Sequence, residues 1–235
     1  MALKKYKKNL PYSYSFGVFT TLELLKYRPD RVDKVVIDPK GEKNKGIQEI
    51  VDICRAKYIK VEYDAGFVRR LSGKENAYVL GIFNKYEGKI EKGKDHVVLV
   101  EPSDTGNLGT VMRAMLGFGV ENLAVIRPAV DVFTPKSVRA SMGSVFRLNV
   151  EYFYTFEEYA EAHKNTPYLF MTDGKKLLSQ IHFQSPYTLV FGNEGEGLPK
   201  GFEKYGDTVK ISQSENIDSL NLSVAVGIAL YQAVK

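Results

Sequence analysis

The stretch from Asp207 to Lys235, DTVKISQSENIDSLNLSVAVGIALYQAVK, constrains this chain more than any other. It reads as a short β-like run, a polar loop, and then a helix that is apolar almost all the way round. Leu220, Val224, Ile228 and Tyr231 recur at helical spacing on one face, and Leu222, Val226, Ala229 and Ala233 on another. A helix of this kind must be covered on more than one side. Its expected first turn, Ser219-Leu220-Asn221, nevertheless delivers two hydrogen-bonding side chains to the edge of a buried element. Taken alone, the segment is explained by capping, with Asp218 or Ser219 as the N-cap. The rest of the chain gives it a second meaning.

A length of 235 residues suits one large or two small domains, and 44% hydrophobic with 26% charged residues is ordinary for a globular cytosolic protein. The single cysteine, Cys54, rules out a disulfide framework and reads as a buried thiol in a helix. His96, His163 and His182 are too scattered for metal-ligand spacing, so no metal is expected. The start, MALKKYKKNL, is basic but runs into PYSYS without an apolar core, unlike a secretory signal. The apolar final helix is shorter than the ~20 residues that span a bilayer. No membrane partner is expected, and the implied location is the cytoplasm.

Charge is distributed unevenly. Residues 1–95 hold 21 Lys and Arg against 13 Asp and Glu, whereas residues 96–235 hold 12 against 15. A basic module joined to a near-neutral one is the pattern of a nucleic-acid-handling part attached to a catalytic or folding part, although lysines that merely solvate a surface produce it too.

In the basic part, helices are expected over Phe16–Tyr27, Gly46–Lys57 and Val68–Leu71, and strands over Val35–Ile37, Ile59–Glu62 and Ala77–Phe83. Within Gly46–Lys57, Ile47, Ile50, Val51 and Cys54 point inward. This is a small α/β unit. Arg69, Arg70 and Lys74 lie at a helix end or in a loop, where they can meet phosphates. Asn84–Asp95 is polar, charged and glycine-bearing, which reads as a linker. The domains are therefore placed at 1–90 and 96–235, with 91–95 between them.

From His96 the pattern becomes strand (His96–Val100), loop (Glu101–Asn107), helix (Leu108–Gly117), strand (Asn122–Ile126), a βαβ unit. Its loop has neither G-x-G-x-x-G spacing nor G-K-[ST], so dinucleotide and P-loop fingerprints are absent. In their place Asn107-x-Gly109-Thr110-x-x-Arg113 sets an amide at the helix mouth and a guanidinium about two turns along. Because Arg113 sits among apolar neighbours, it is expected to need a partner. Further on, Pro135–Gly143 and Thr155–His163 read as helices, and Val145–Val150, Tyr168–Thr172 and Thr188–Phe191 as strands. The last strand runs into GNEGEGLP, residues 192–199, whose three glycines free the backbone for close approach to a ligand.

Three ordered segments, NLGTVMRAMLGFGV, LVFGNEGEGLP and DSLNLSVAVGIALYQ, resemble the three motifs of the SpoU (TrmH) branch of the SPOUT RNA methyltransferases, and SVRASMGSVFRLNV is similar to the family between the first two. The resemblance covers about residues 96–235, and residues 16–90 resemble the L30e-like substrate-binding domain found in several members. It implies an α/β fold: a six-stranded, mostly parallel SPOUT sheet with a deep C-terminal trefoil knot, preceded by a small L30e-like α/β domain. It also implies S-adenosyl-L-methionine (AdoMet) as cofactor, held around Thr172, Gly192, Asn193, Gly195, Gly197, Ile211 and Leu220. Asn107, Arg113, Glu194, Ser219 and Asn221 match the family's catalytic positions. The implied reaction is methyl transfer to a ribose 2′-hydroxyl of RNA, with ribosomal RNA favoured over tRNA because of the extra N-terminal domain.

A guanidinium stays protonated at ordinary pH and is a poor base. Arg113 is therefore expected to hold the ribose and a phosphate, with a phosphate oxygen or Glu194 sharing the proton, and Ser219 and Asn221 orienting Arg113 and the cofactor loop. The resemblance further implies a homodimer through the final helix, which would complete the site and account for that helix being apolar all round. One departure stands out. Members usually have Ile-Pro-Met where this chain has Ile211-Ser212-Gln213, and losing the proline's fixed φ is expected to loosen the cofactor floor. The competing classes are a non-catalytic RNA-binding or ribosome-assembly factor on the same fold, and a nucleotide-dependent oxidoreductase, which lacks its fingerprint.

Overall fold

A computed structural model describes residues 3–72 and 77–235. The chain forms two compact units, one of Met1–Tyr86 with Asp131–Arg147 and one of Glu87–Val130 with Leu148–Lys235.

The first unit is built on β1 (Tyr12–Phe16), α1 (Val18–Tyr27), β2 (Val32–Ile37), α2 (Lys45–Ala56), β3 (Lys60–Tyr63), α3 (Ala65–Ser72) and β4 (Val79–Asn84). Its sheet runs β1-β4-β2-β3, with β2 and β3 parallel and the other pairs antiparallel. Strand β1 was not foreseen, because tyrosine and serine alternate along it without the apolar run that marks a buried strand. Here Tyr14 is buried and its hydroxyl donates to the Lys4 carbonyl, while Ser13 donates to the Phe133 carbonyl. One core layer joins α1 and α2 to the sheet through Leu25, Ile47, Ile50 and Cys54. Burial pushes the Cys54 thiol up to about 11, so the thiol is a core side chain.

The second unit begins with a segment that the sequence marks as a linker but the fold pins down. Ile90 is buried and its N–H donates to Glu151, while the Glu91 N–H donates to Asn122. Next come β5 (His96–Val100), α4 (Thr105–Gly117) and β6 (Asn122–Ile126). Helix α4 starts at Thr105, not Leu108, because Asp104 caps it, its Oδ1 accepting from the N–H groups of Gly106 and Asn107 at 2.7 Å each.

The chain then returns to the first unit for α5 (Pro135–Ala140). There Phe133 and Phe146 pack edge-on against Phe83, at ring-centroid distances of 5.6 and 5.2 Å. A linear reading misses this excursion, since the long-range contacts of Phe133 and Phe146 leave no local periodicity.

Back in the second unit, β7 (Asn149–Phe153), α6 (Phe156–Ala162), β8 (Thr166–Phe170), β9 (Lys176–Leu177), β10 (Tyr187–Phe191), β11 (Asp207–Lys210) and α7 (Leu222–Ala233) complete the fold. The strand expected over Val145–Val150 is displaced to β7, because Ser144–Phe146 forms a 3₁₀ turn after Gly143, which has φ 80°. The sheet has seven strands where six were expected, in the order β7-β6-β5-β10-β8-β11-β9, and every pair is parallel. The additional edge strand is the two-residue β9. Strands β5, β6 and β7 extend one way; β8 starts on the far side of β10, which fills the gap. Strand order therefore reverses beside β5 and β10, and in open parallel sheets ligands bind outside the carboxyl ends at such a switch point.

Among the described residues, no helix is long and apolar enough to cross a membrane.

Candidate active site

Four segments converge at the switch point: the loop after β5, the first turn of α4, the glycine loop after β10 and the start of α7. At the end of β5, Glu101 takes φ 52°, a left-handed conformation that is costly for a residue with a side chain. The Asn193 amide donates to the Glu101 carbonyl at 2.7 Å and so ties the glycine loop to β5. Within that loop, the Asn193 side chain accepts from the Gly195 N–H at 2.8 Å and its carbonyl accepts from the Gly197 N–H at 2.9 Å. The reason for the first glycine differs from the one the sequence suggested. A Cβ on Gly192 would stand 2.0 Å from the Gly197 carbonyl carbon, so Gly192 lets the loop close on itself before any ligand arrives. Gly197 has φ 70°.

Glu194 is the hub. One carboxylate oxygen accepts from the Ser103 N–H and hydroxyl at 2.9 and 2.8 Å; the other accepts from the Asp104 N–H at 3.1 Å and the Asn107 amide at 3.4 Å. Asn107 in turn accepts from the Asn221 amide at 3.0 Å. Burial alone would raise the Glu194 pKa, but the hydrogen bonds from Ser103 and Asp104 outweigh it and hold the carboxyl below the usual range. The carboxylate therefore stays ionised and occupied.

Asn221 is also the N-cap of α7, accepting from the Ser223 N–H at 2.9 Å. That overturns the expected capping by Asp218 or Ser219: the helix begins three residues later than Ser219, and Ser219 is exposed in the loop that precedes it. The Asn221 partner is Asn107 rather than Arg113, so the expectation that Asn221 orients Arg113 is replaced by a chain running from Asn221 through Asn107 to Glu194.

Beside this chain lies a cavity of about 450 Å³. Thr172, Gly192, Asn193, Gly195, Gly197, Ile211 and Leu220 all line it, as do Glu194, Ser219 and Asn221. Asn107 stands one hydrogen bond behind them. The sequence reading missed Phe170 and Phe191, stacked with centroids 4.4 Å apart at the ends of β8 and β10, because inside apolar runs they look like ordinary core. It also missed Ser103 and Asp104, although their place directly after a parallel strand is a usable signal. Asp173, Glu194, Glu196 and Asp218 are the four acidic residues of the lining, and no Lys or Arg among the described residues joins them. In the divergent Ile211-Ser212-Gln213 segment, the Gln213 amide donates to the Asp218 carbonyl at 3.2 Å and closes the loop in the proline's absence.

Arg113 is not brought to the cavity. It lies about 9 Å along α4 from Asn107, on a different face, since six residues turn a helix by ~600°. It is exposed and has neither an ion pair nor a side-chain hydrogen bond among the described residues, contrary to the expected partner. Arg69 and Arg70 sit in the last turn of α3 in the first unit, both exposed, the Arg69 Nε donating to the Ala65 carbonyl and Arg70 lying 5.2 Å from the Phe67 ring centre. Lys74 lies outside the described residues. No group of three or more His, Cys, Asp or Glu among the described residues could hold a metal ion.

The chain is similar to known proteins in both sequence and fold. The chain is 35% identical over 141 residues to an uncharacterised tRNA/rRNA methyltransferase of Synechocystis, and 34% identical over 148 residues to the 23S rRNA (uridine(2479)-2′-O)-methyltransferase of Streptomyces viridochromogenes. These matches take in 58% and 59% of this chain, and the chain spans about half the length of both relatives, 52% in each case. In fold, it superposes on an AdoMet-bound rRNA methyltransferase from Sinorhizobium meliloti with a TM-score of 0.80 at 24% identity, over 94% of this chain and 86% of that one. The model of the SpoU rRNA Methylase family matches residues 94–231. Because that match runs through the loop after β5, the glycine loop and the start of α7, the segments from which the site is assembled, the chain belongs to the SpoU rRNA methylase family.

Proposed function

We propose that the protein is an AdoMet-dependent RNA methyltransferase acting on a ribose 2′-hydroxyl. The observation that carries this reading is the charge of the cavity. With Glu194 engaged by its own donors, Asp173, Glu196 and Asp218 and the lack of any lining Lys or Arg among the described residues suit a ligand bearing a sulfonium and an ammonium group, whereas the diphosphate of a dinucleotide would find no counter-charge there. This also argues against the nucleotide-dependent oxidoreductase. The volume falls within the ~300–1,000 Å³ of small-molecule sites, and Phe170 and Phe191 offer an apolar floor. Family membership and the named 2′-O-methyltransferase relative point the same way.

When bound, AdoMet supplies the methyl group on its sulfonium, which passes to the 2′-oxygen as the hydroxyl loses its proton and the neutral thioether departs. The residues of this chain position the reactants. Glu194 fixes the loop after β5 and, through Asn107, the start of α7, so the cavity wall is preorganised. Of the two proton acceptors open from the sequence, a phosphate oxygen is the better, because Glu194 is engaged on both oxygens and its carboxyl is unusually acidic. Arg113, a permanent cation, holds that phosphate.

The same reading includes three further features. The chain is knotted, which is consistent with β10 lying between β5 and β8 and with α7 packing on α4. It is a homodimer through α7, on whose outer face Val224, Ile228 and Tyr231 are 48%, 37% and 54% exposed, and Arg113 serves a site completed across that interface. The first unit is an L30e-like RNA-binding domain carrying Arg69, Arg70 and Lys74, its presence favouring ribosomal RNA as substrate.

The test is incubation with tritiated AdoMet and separated ribosomal RNA and tRNA from cells lacking the gene, followed by digestion to locate the methyl group. Label on a ribose 2′-oxygen in one pool is the expected result. AdoMet binding without label in either pool would leave either an assembly intermediate as the substrate or a non-catalytic RNA-binding factor.

A further inference from the structure

Beyond the cavity, the same edge of the sheet carries a second constellation, exposed at Arg127 and Tyr154 and half-buried at Tyr152, that the reaction does not use. Arg127 is the first residue past β6, and Tyr152 and Tyr154 bracket the end of β7. The Arg127 guanidinium carbon lies 4.8 Å from the ring centre of Tyr152 and 5.6 Å from that of Tyr154. Both tyrosines are held by backbone that is itself fixed. The Arg127 N–H donates to the Phe153 carbonyl at 2.9 Å, and the Tyr154 N–H donates to Glu158 at 2.8 Å, in the capped first turn of α6. Tyr154 is nonetheless 76% exposed, and the exposed Arg127 side chain has no ion pair or hydrogen bond among the described residues.

We propose that Arg127, Tyr152 and Tyr154 form a nucleobase-stacking subsite for a single-stranded RNA segment flanking the target nucleotide. The proposal rests on the RNA-methyltransferase reading above, which is what makes RNA the ligand. Unstacked bases in single-stranded RNA are recognised by stacking on aromatic rings and on guanidinium planes, and this site offers both on a rigid support. Its guanidinium has free donors for a phosphate or a base edge. Strands β6 and β10 are separated in the sheet only by β5, so the carboxyl ends of β6 and β10 are about 10 Å apart at ~4.8 Å per strand. That is at most about three nucleotide steps, since ~3.4 Å is the rise between stacked bases in a duplex and unstacked nucleotides span more. An RNA whose 2′-hydroxyl sits at the switch point therefore passes over Arg127 within about three nucleotides.

The probe is a fluorescein-labelled twelve-residue oligo(A) RNA, its affinity for the full chain measured by anisotropy over a salt series. The companion measurement is RNA KM and kcat for methyl transfer. Tyr154→Ala is expected to weaken oligo(A) binding roughly tenfold at every salt concentration without changing the salt slope, to raise RNA KM, and to leave kcat unchanged. Tyr154→Phe, which keeps the ring face, binds like wild type, and Arg127→Ala lowers the salt slope by about one phosphate. Equal affinity for wild type and Tyr154→Ala, equal losses in Tyr154→Phe and Tyr154→Ala, or no oligo(A) binding by wild type each overturn the subsite. The two readings separate cleanly. Tyr154-dependent binding without methyl transfer to any RNA keeps the subsite and removes the methyltransferase; methyl transfer with RNA KM unmoved by Tyr154→Ala does the reverse.

Discussion

At the carboxyl edge of the parallel sheet, Asn221, Asn107 and Glu194 form a hydrogen-bonded chain that opens onto a cavity. At the amino edge, Glu91, His96, Tyr159 and Thr188 form another whose side-chain members His96, Tyr159 and Thr188 are buried. His96 Nε2 meets the Glu91 carbonyl at 2.7 Å, so that nitrogen carries the proton. Its Nδ1 then accepts from the Tyr159 hydroxyl at 2.8 Å, and Tyr159 accepts from Thr188 at 2.6 Å. His96, Tyr159 and Thr188 are buried, and His163 packs on His96 with ring centres 5.0 Å apart. The lesson is that perturbed titratable groups alone do not identify a site: burial lowers the pKa of both histidines, yet these side chains do not line the cavity beside Glu194. What separates the edges is access, together with the switch point that creates it.

The sharpest way to test that contrast is on the activity side. Arg113→Ala is expected to reduce methyl transfer by about 10²–10³-fold, the size of losing one charge-stabilising donor, while AdoMet affinity and dimerisation stay near wild type. Equilibrium dialysis with AdoMet and sedimentation alongside the kinetics check this, and a parallel loss of AdoMet binding would assign Arg113 to the cofactor instead. Next in size, Glu194→Ala removes the acceptor for four donors and is expected to cost ~1–3 kcal/mol of stability together with AdoMet affinity. Urea unfolding and calorimetric titration of the variant read both.

At the closed edge, Tyr159→Phe leaves the buried His96 Nδ1 without its donor and removes the hydroxyl that accepts from Thr188, and is expected to cost ~1–3 kcal/mol with kcat unchanged. A fall in kcat at equal folded fraction would show that the two edges communicate. The smallest effect is that of pH. Because burial lowers both histidines from 6.5, the unfolded chain binds protons first as pH falls, so stability is level above about 6.5 and declines below it. Glu194, lowered from 4.5, contributes its loss only as pH falls below that value. Urea midpoints at pH 8, 7, 6 and 5 separate the two, and a flat profile from 7 to 5 would remove the histidine contribution.

Much of this architecture was legible in the residues. β5 and β6 fall where continuous apolar runs placed them, because strands buried on both faces are near-continuous in Val, Leu and Ile. The glycine loop and the polar entry to α7 were visible as departures from ordinary helix and strand chemistry. Other elements were hidden: β1 owes its burial to partners distant in sequence, and the start of α4 depends on Asp104, whose capping role looks like any loop aspartate. The excursion of Asp131–Arg147 into the first unit has no local signal at all.

The sequence alone therefore determined the α/β class, the order of most elements and the basic bias of the N-terminal part, since each is written in local periodicity or composition, while the cavity-lining residues from Thr172 to Leu220 were named through the resemblance of its motifs to the SpoU family. Only the tertiary structure decided that Glu194 is an occupied anchor, that Asn221 reaches Asn107, that Arg113 stands apart from the cavity, and that one face of α7 remains exposed. Those facts depend on which side chains meet across elements far apart in the chain, and hydrogen bonding and burial are settled only when the sheet order brings them together.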